Sequence, residues 1–443
     1  MFYLSADYLD LKEKYTLSTL AHEFQHMIHW SKDRNESSWV NEGFSELASY
    51  LNGYDPGGYD YVFTMNPDIN LTFWPGSDQG YSGPHYGASY LFMSYLLNRF
   101  GETTTRRLVE EPANGMEGLE FVLQKHAMGS GMEMETPESV FIDWTIANLI
   151  NNSSINDGRY AYNPEQSVPL VYPNQSIKCD ESVNSFTVNQ FGTDYYRVEN
   201  ESGLMIRLNS EATVPLIAVS PHSGSYHYWS NRGDESHMRL WRNFDFREVT
   251  KPINMTFWVW YDIEKDYDYA YITAQVGNQQ KEILEIPSCT KDNPSGANYG
   301  CGLNGKSNEW VLQTVDLSKY AGKEVRIAFE YITDSAVNGN GMLIDDIEIQ
   351  AVNYSSDFEV DGGGWQNEGF VRVSENVPQR IAVSLVQKEQ GIYDVKTFMN
   401  FINGEMELFI PPKSKGTEIV LLVSALNRVS FELSTYTIQC IPH

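Results

Sequence analysis

The sequence predicts a multidomain protein in which a mainly α lobe is followed by all-β sandwich domains. Three observations carry this expectation. At 443 residues the chain is longer than one hydrophobic core usually organises. The first ~160 residues space their apolar side chains with a helical period, between capping and stop signals. From about residue 165 onward β-branched and aromatic alternation takes over. There it is cut by turn sequences such as Asn338-Gly339-Asn340-Gly341 and Asp361-Gly362-Gly363-Gly364.

Taken in order, the first helix is expected from about Thr16 to Trp30, with Thr16 or Ser18 as cap. Leu17, Leu20, Ala21, Phe24 and Ile28 would supply its apolar contacts. A polar break from Ser31 to Ser38 leads to a second helix through Tyr50, ended by the Gly53–Gly58 turn residues. Residues 54–83 are aromatic and punctuated by Gly and Pro. They read as a long loop lining a cleft. Gly83-Pro84 starts a third helix that Gly101 stops. Further helices are expected at 103–111, 116–127 and 137–151, the last with Thr136 as cap and Val140, Phe141, Trp144 and Ala147 as its buried stripe. Strands are expected at Met255–Tyr261, Tyr269–Val276, Val325–Tyr331 and Ile419–Ala425.

The net charge of −28 and the pI near 4.6 argue against nucleic acid as a partner and fit an acidic, secreted surface. No apolar run is long enough for a transmembrane segment, and no signal peptide precedes the first helix. The four cysteines form no CxxC pair, so a cysteine zinc site is not expected. Cys289 and Cys301 bracket one loop, and Cys179 with Cys440 would close a very long one. Three connectivities and four free thiols all remain open. A Cys179–Cys440 bond would make the segment between them a sandwich inserted into another sandwich.

The chemistry concentrates in His22-Glu23-Phe24-Gln25-His26 and Asn41-Glu42. Two His four positions apart on a helix share a face, at the spacing that lets both imidazoles bind one Zn²⁺. Glu42 follows His26 by a helix end, a turn and a helix start, and would be the third ligand. Glu23 lies beside the open position as general base. Glu46, one turn after Glu42, would fix a ligand His from behind. Glu46 replacing Glu42 as ligand is the less favoured swap. His29 continues the stripe but is read as a satisfied helix-end histidine, because the longer HExxHxxGxxH pattern is absent. For the oxyanion we favour Tyr86, then His85, then Tyr81, all near the start of the third helix. The acidic groups Asp234-Glu235, Asp262 with Glu264, Asp266 and Asp268, and Asp345-Asp346 could bind Ca²⁺ in the β domains.

His22 to His26, with Trp39-Val40-Asn41-Glu42-Gly43-Phe44, resembles the gluzincin zinc peptidases, the thermolysin, aminopeptidase N and hyicolysin group. The resemblance implies a zincin (gluzincin) catalytic lobe with Glu42 as third ligand and Glu46 supporting a zinc His. Gly87-Ala88-Ser89 is similar to the aminopeptidase segment that follows the catalytic Tyr. Peptidases of this kind carry a sheet lobe ahead of the motif helix, so that lobe is expected to be missing from this chain. Separately, Tyr228-Trp229-Ser230-Asn231-Arg232-Gly233-Asp234, Trp260-Tyr261-Asp262-Ile263-Glu264, Val315-Asp316-Leu317-Ser318 and Ile344-Asp345-Asp346-Ile347 resemble the C-terminal module of immune inhibitor A-like secreted metallopeptidases. That implies a jelly-roll sandwich, often calcium-binding.

The expected domains are a zinc-peptidase lobe over 1–165, a discontinuous sandwich over 166–221 plus 351–443, and the jelly roll over 222–350. The expected function is a secreted zinc endopeptidase acting on protein or peptide substrates. The alternatives are an extracellular binding or adhesion protein with an incomplete peptidase lobe, its sandwiches holding a polymer or cell-surface ligand, and a zinc aminopeptidase.

Overall fold

The computed structural model describes residues 12–442 apart from 56, 77–79, 132, 200–202, 251, 400–403, 413 and 415. Among the described residues six helices come first: α1 (Lys14–Lys32), α2 (Ser38–Leu51), α3 (Tyr59–Met65), α4 (Gly83–Leu108), α5 (Gly115–Ser130) and α6 (Pro137–Ile150). The described elements after α6 are strands joined by loops, with two short 3₁₀ turns. No described helix is long and apolar enough to cross a membrane. The chain divides into two compact units, one of Met1–Val214 with Val377–His443, the other of Pro215–Asn376.

Several local expectations need correction. Neither Thr16 nor Ser18 caps α1. The helix starts at Lys14 behind Glu13, with no side-chain cap. Its apolar stripe is not a core either, since Phe24 and Ile28 are exposed and only Thr16 and His29 are buried. The stretch 54–83 is not all loop. It contains α3, whose Phe63 stacks on Trp144 at 5.4 Å. A seven-residue helix is too short to be stable by propensity, so this packing maintains it. Gly101 does break α4, as expected, into two helical segments across a kink, at a left-handed φ of 77° that glycine tolerates. Thr136 caps α6, and Ser139 completes a capping box.

In the first unit a five-stranded sheet and a four-stranded sheet form a sandwich. The five-stranded sheet runs in the order Gln175–Ile177, Thr193–Val198, Glu418–Ala425, Ile381–Glu389, Ile392–Phe398. The four-stranded sheet runs Val183–Val188, Ser434–Pro442, Leu204–Ser210, Glu405–Ile410. Strand alternation explains the apolar run at 418–425. Leu421 and Val423 face the sandwich interior with Ile206 and Ile438. Leu422, with Ala382, Val386 and Tyr195, faces the helical core of Phe141 and Trp144. A strand covered on both faces reads as continuous rather than alternating hydrophobicity. A disulfide joins Cys179 to Cys440. Arg428 binds Glu138 on α6 and Glu120 on α5, which ties the sandwich to the helices.

The second unit is a sandwich of its own. One sheet runs Glu282–Ile283, Tyr269–Gln275, Glu324–Ile332, His237–Asp245, Gln366–Glu368. The other runs Val311–Asp316, Asn254–Asp262, Gly341–Ile349, Tyr226–Trp229, Val371–Ser374, with Tyr354–Ser356 added on Gly341–Ile349. Phe257, Val259, Ile272, Phe329 and Ile344 lie in the core between them. The second disulfide, Cys289–Cys301, closes a loop in this unit.

Candidate metal centre

α1 and α2 pack side by side and present one set of polar residues to each other. On α1 these are His22 and His26. On α2 they are Asn41, Glu42, Ser45 and Glu46, whose spacing puts them along one helical face. The approach is set by glycine. A Cβ at Gly43 would lie 2.8 Å from the Ser89 carbonyl oxygen, so only glycine lets α2 sit this close to α4.

Three donor atoms converge between the helices. His22 Nε2 and His26 Nε2 are 3.0 Å apart, and Glu42 Oε2 lies 3.1 Å from the first and 3.5 Å from the second. Glu42 Oε2 is buried and has no properly oriented hydrogen-bond donor. The outer nitrogens are engaged elsewhere. His22 Nδ1 is 3.2 Å from Glu46 Oε1, and His26 Nδ1 is 3.0 Å from Asn41 Oδ1 and 3.2 Å from Ser45 Oγ. A carboxylate and an amide oxygen can only accept, so each ring carries a proton on Nδ1 and leaves Nε2 as the atom that faces the other donors. Donors about 2.0–2.2 Å from a tetrahedral Zn²⁺ are about 3.3–3.5 Å from one another, close to the separations between these three atoms. The donor set therefore fits the ion, and among the described residues His22, His26 and Glu42 form one of two groups able to hold a metal.

The electrostatics follow from the same contacts. Burial works against the charged imidazole of His22, but the Glu42 and Glu46 carboxylates outweigh it and lift the group to about 10. His26 is raised for the same reason, by Glu42. Burial would raise Glu42, yet its two His neighbours hold it at about 2. Glu23 is exposed, next to His22 on α1, and has no ion-pair or hydrogen-bond partner among the described residues.

Tyr86 lies near this set, its ring 6.3 Å from that of His22. Tyr59 stacks on it at 5.2 Å and Trp74 meets it edge-on at 4.8 Å. Burial first, and then the Glu42 and Glu46 carboxylates, push its phenol well above the usual range, so it stays protonated as a donor. Gly87 makes this cluster possible, because a Cβ there would fall 2.0 Å from the Tyr59 carbonyl oxygen. His85 sits apart, between Phe73 and Trp74 at 6.1 and 6.2 Å, and burial pulls it down to about 4. Tyr81 is exposed. His29 lies in the last turn of α1, as expected, and is fully buried edge-on to Phe44, with no well-oriented hydrogen bond to either ring nitrogen. Burial keeps it neutral, at about 4.

The sequence reading missed Ser45, Tyr59, Trp74 and the supporting role of Asn41. Asn41 and Ser45 could have been found from their i, i+4 spacing on the ligand face of α2. Tyr59 and Trp74 carried no such signal. A cavity of about 630 Å³ in the same unit, lined by Tyr61, Asp68 and Asp194 among others, contains none of these residues. In the second unit Glu264, Asp268 and Asp334 bring carboxylate oxygens within 4.8 Å of one another. Asp262 is engaged instead with Asn340 and Lys306.

Comparison with known proteins supplies related sequences over part of the chain. It is 31% identical over 143 residues to the pre-pro-metalloprotease PrtV of Vibrio cholerae, covering 32% of this chain and 15% of that protein. It is 33% identical over 159 residues to immune inhibitor A of Bacillus thuringiensis subsp. alesti, covering 35% and 22%. With the neutral metalloprotease ShpI of Staphylococcus hyicus it shares 28% identity over 137 residues, covering 28% and 31%. The chain thus spans under a third of the length of each of these relatives. Residues 188–375, which include neither α1 nor α2, match the family described as immune inhibitor A-like, MAM domain.

Proposed function

We propose that this protein is a secreted zinc endopeptidase of the gluzincin type, with His22, His26 and Glu42 as the metal ligands. The observation that carries the reading is the convergence of two Nε2 atoms and one carboxylate oxygen within 3.0–3.5 Å, with both Nδ1 atoms held from behind. The relatives named as metalloproteases, PrtV and ShpI, support the reaction class. The disulfides fit an oxidising, extracellular compartment.

Held by His22, His26 and Glu42, Zn²⁺ would supply the Lewis acidity that makes a water at this site more acidic. Glu23 takes the proton as the water oxygen bonds to the carbonyl carbon. It returns that proton to the amine nitrogen as the C–N bond breaks. Tyr86 donates a hydrogen bond to the oxygen that gains negative charge. Glu46 and Asn41 keep the two imidazoles in the tautomer that binds metal.

The test is Glu23→Gln, with zinc measured by elemental analysis and cleavage of casein and of end-blocked peptides followed. The parent should bind one zinc per chain and cleave blocked peptides. The variant should keep the zinc and lose cleavage. A well-folded parent without zinc would favour the binding-protein alternative. Cleavage restricted to free amino termini would make it an aminopeptidase.

A further inference from the structure

The outer face of the five-stranded sheet in the second unit holds a cavity of about 280 Å³. Its shape follows from strand register. On the two central strands Ala328 pairs with Thr273, and these small, buried residues form the floor. Trp241 pairs with Ala328 from the flanking strand and stands as one wall. Lys281 rises on the other side, just ahead of Glu282–Ile283. Arg326, opposite Gln275, closes one end. Glu330, opposite Arg239, closes the other.

The lining is mixed in chemistry. Glu330 is buried and binds three groups: Lys281 at 2.6 Å, His237 at 2.7 Å and the Thr273 hydroxyl at 2.6 Å. Arg239 pairs with Glu368. Arg326 differs. Its Nε donates to Asn243 Oδ1 at 3.2 Å, and it takes no carboxylate partner among the described residues. An unneutralised guanidinium therefore faces the cavity in a chain with 59 acidic and 31 basic residues.

A half-buried indole beside fixed donors and acceptors suits a pyranose ring, whose C–H face lies on the aromatic while its hydroxyls reach the polar rim. The volume is at the small end for ligand sites, about 300 Å³ upward, and takes one ring of a longer chain. The planar fork of Arg326 matches a carboxylate in bidentate fashion. We propose that this trough binds a carboxylated sugar residue of a saccharide. The net charge of −28 repels densely charged polyanions. At physiological salt that repulsion is screened within about 8 Å, so an isolated acidic ring is read by the trough itself. This inference is independent of the peptidase reading.

The test is calorimetric titration of the intact chain with a glucuronate-terminated and a glucose-terminated disaccharide, with Trp fluorescence as a second readout. The uronate should bind about tenfold more tightly. Arg326→Gln should erase that difference while leaving the neutral sugar unaffected, and Trp241→Ala should weaken both sugars about tenfold. Melting curves identify any misfolded variant, and Arg326→Gln, being more exposed, remains a test if Trp241→Ala is destabilised. The proposal is overturned if neither disaccharide binds, if the two bind equally to the parent, or if acetate or inorganic phosphate competes as well as the uronate, which would leave a simple anion site.

Discussion

At the scale of single residues, the proposed ligands are oriented by the groups behind them. Glu46 and Asn41 hold the outer nitrogens of His22 and His26 at 3.2 and 3.0 Å. Replacing Glu46 by Gln, or Asn41 by Ala, should weaken zinc binding about 10- to 100-fold, measured by competition with a chromogenic chelator. An unchanged zinc affinity would remove these two residues from the proposed centre. Tyr86→Phe deletes a phenol near His22 that burial and two carboxylates keep protonated. It should lower kcat about 10²-fold with little change in KM, because an oxyanion donor acts mainly in the transition state. A rise in KM alone would assign Tyr86 to packing. His22, Glu23, His26 and Glu42 were legible in the sequence because their spacing is a property of one or two helices. Trp74 and Tyr59 were not, because they reach Tyr86 only through the chain's return around α3.

Among the elements, the helices show how local signals and tertiary contacts divide the work. Gly87 is the contact point of α4 with α3. Gly87→Ala should cost about 1–3 kcal/mol in thermal or urea unfolding, because backbone rather than a flexible side-chain end must move. Proteolysis should fall with it, since Tyr86 is the next residue. The start of α5 offers a pH-dependent test. Glu36 accepts the Gly115 N–H at 2.7 Å and the Ser37 N–H at 2.6 Å, and its other oxygen is buried without a partner. Burial outweighs these bonds and raises its carboxyl from an ordinary 4.5 to about 8. The folded state thus holds a proton that the unfolded chain releases. The associated stability is fully present below pH 4.5 and is lost as pH rises towards 8. This group should cost the parent on the order of 3 kcal/mol between about pH 5 and about pH 8. Glu36→Gln should flatten that part of the urea-unfolding profile, and a parallel profile would show that Glu36 does not titrate in this window. The sequence marked α2, α5 and α6 well, since periodicity and turn residues act locally, as does the Thr136 cap of α6. It placed α3 in a loop and gave α1 a core stripe, because whether an apolar residue is covered depends on what packs over it.

For the molecule as a whole, the two disulfides act on different lengths of chain. Cys179–Cys440 closes a separation of 261 residues and Cys289–Cys301 one of 12. On chain entropy the first is worth about 5.6 kcal/mol and the second about 3 kcal/mol. Cys179→Ser with Cys440→Ser should therefore lower stability more than Cys289→Ser with Cys301→Ser, and a reversed order in chemical denaturation would show that the entropic argument does not govern here. The same bond lies where the sequence was ambiguous, since four cysteines allow three pairings. The sequence by itself determined the change from helices to strands near residue 165, most of the helices, and the spacing of His22, His26 and Glu42, because periodicity and spacing are written along the chain. Only the tertiary structure decided which cysteines meet, that Glu418–Ala425 is covered on both faces, that Asp334 joins Glu264 and Asp268, and that Trp241 and Arg326 flank one trough. Each of these joins residues far apart in sequence, and such contacts arise from packing that no local pattern encodes.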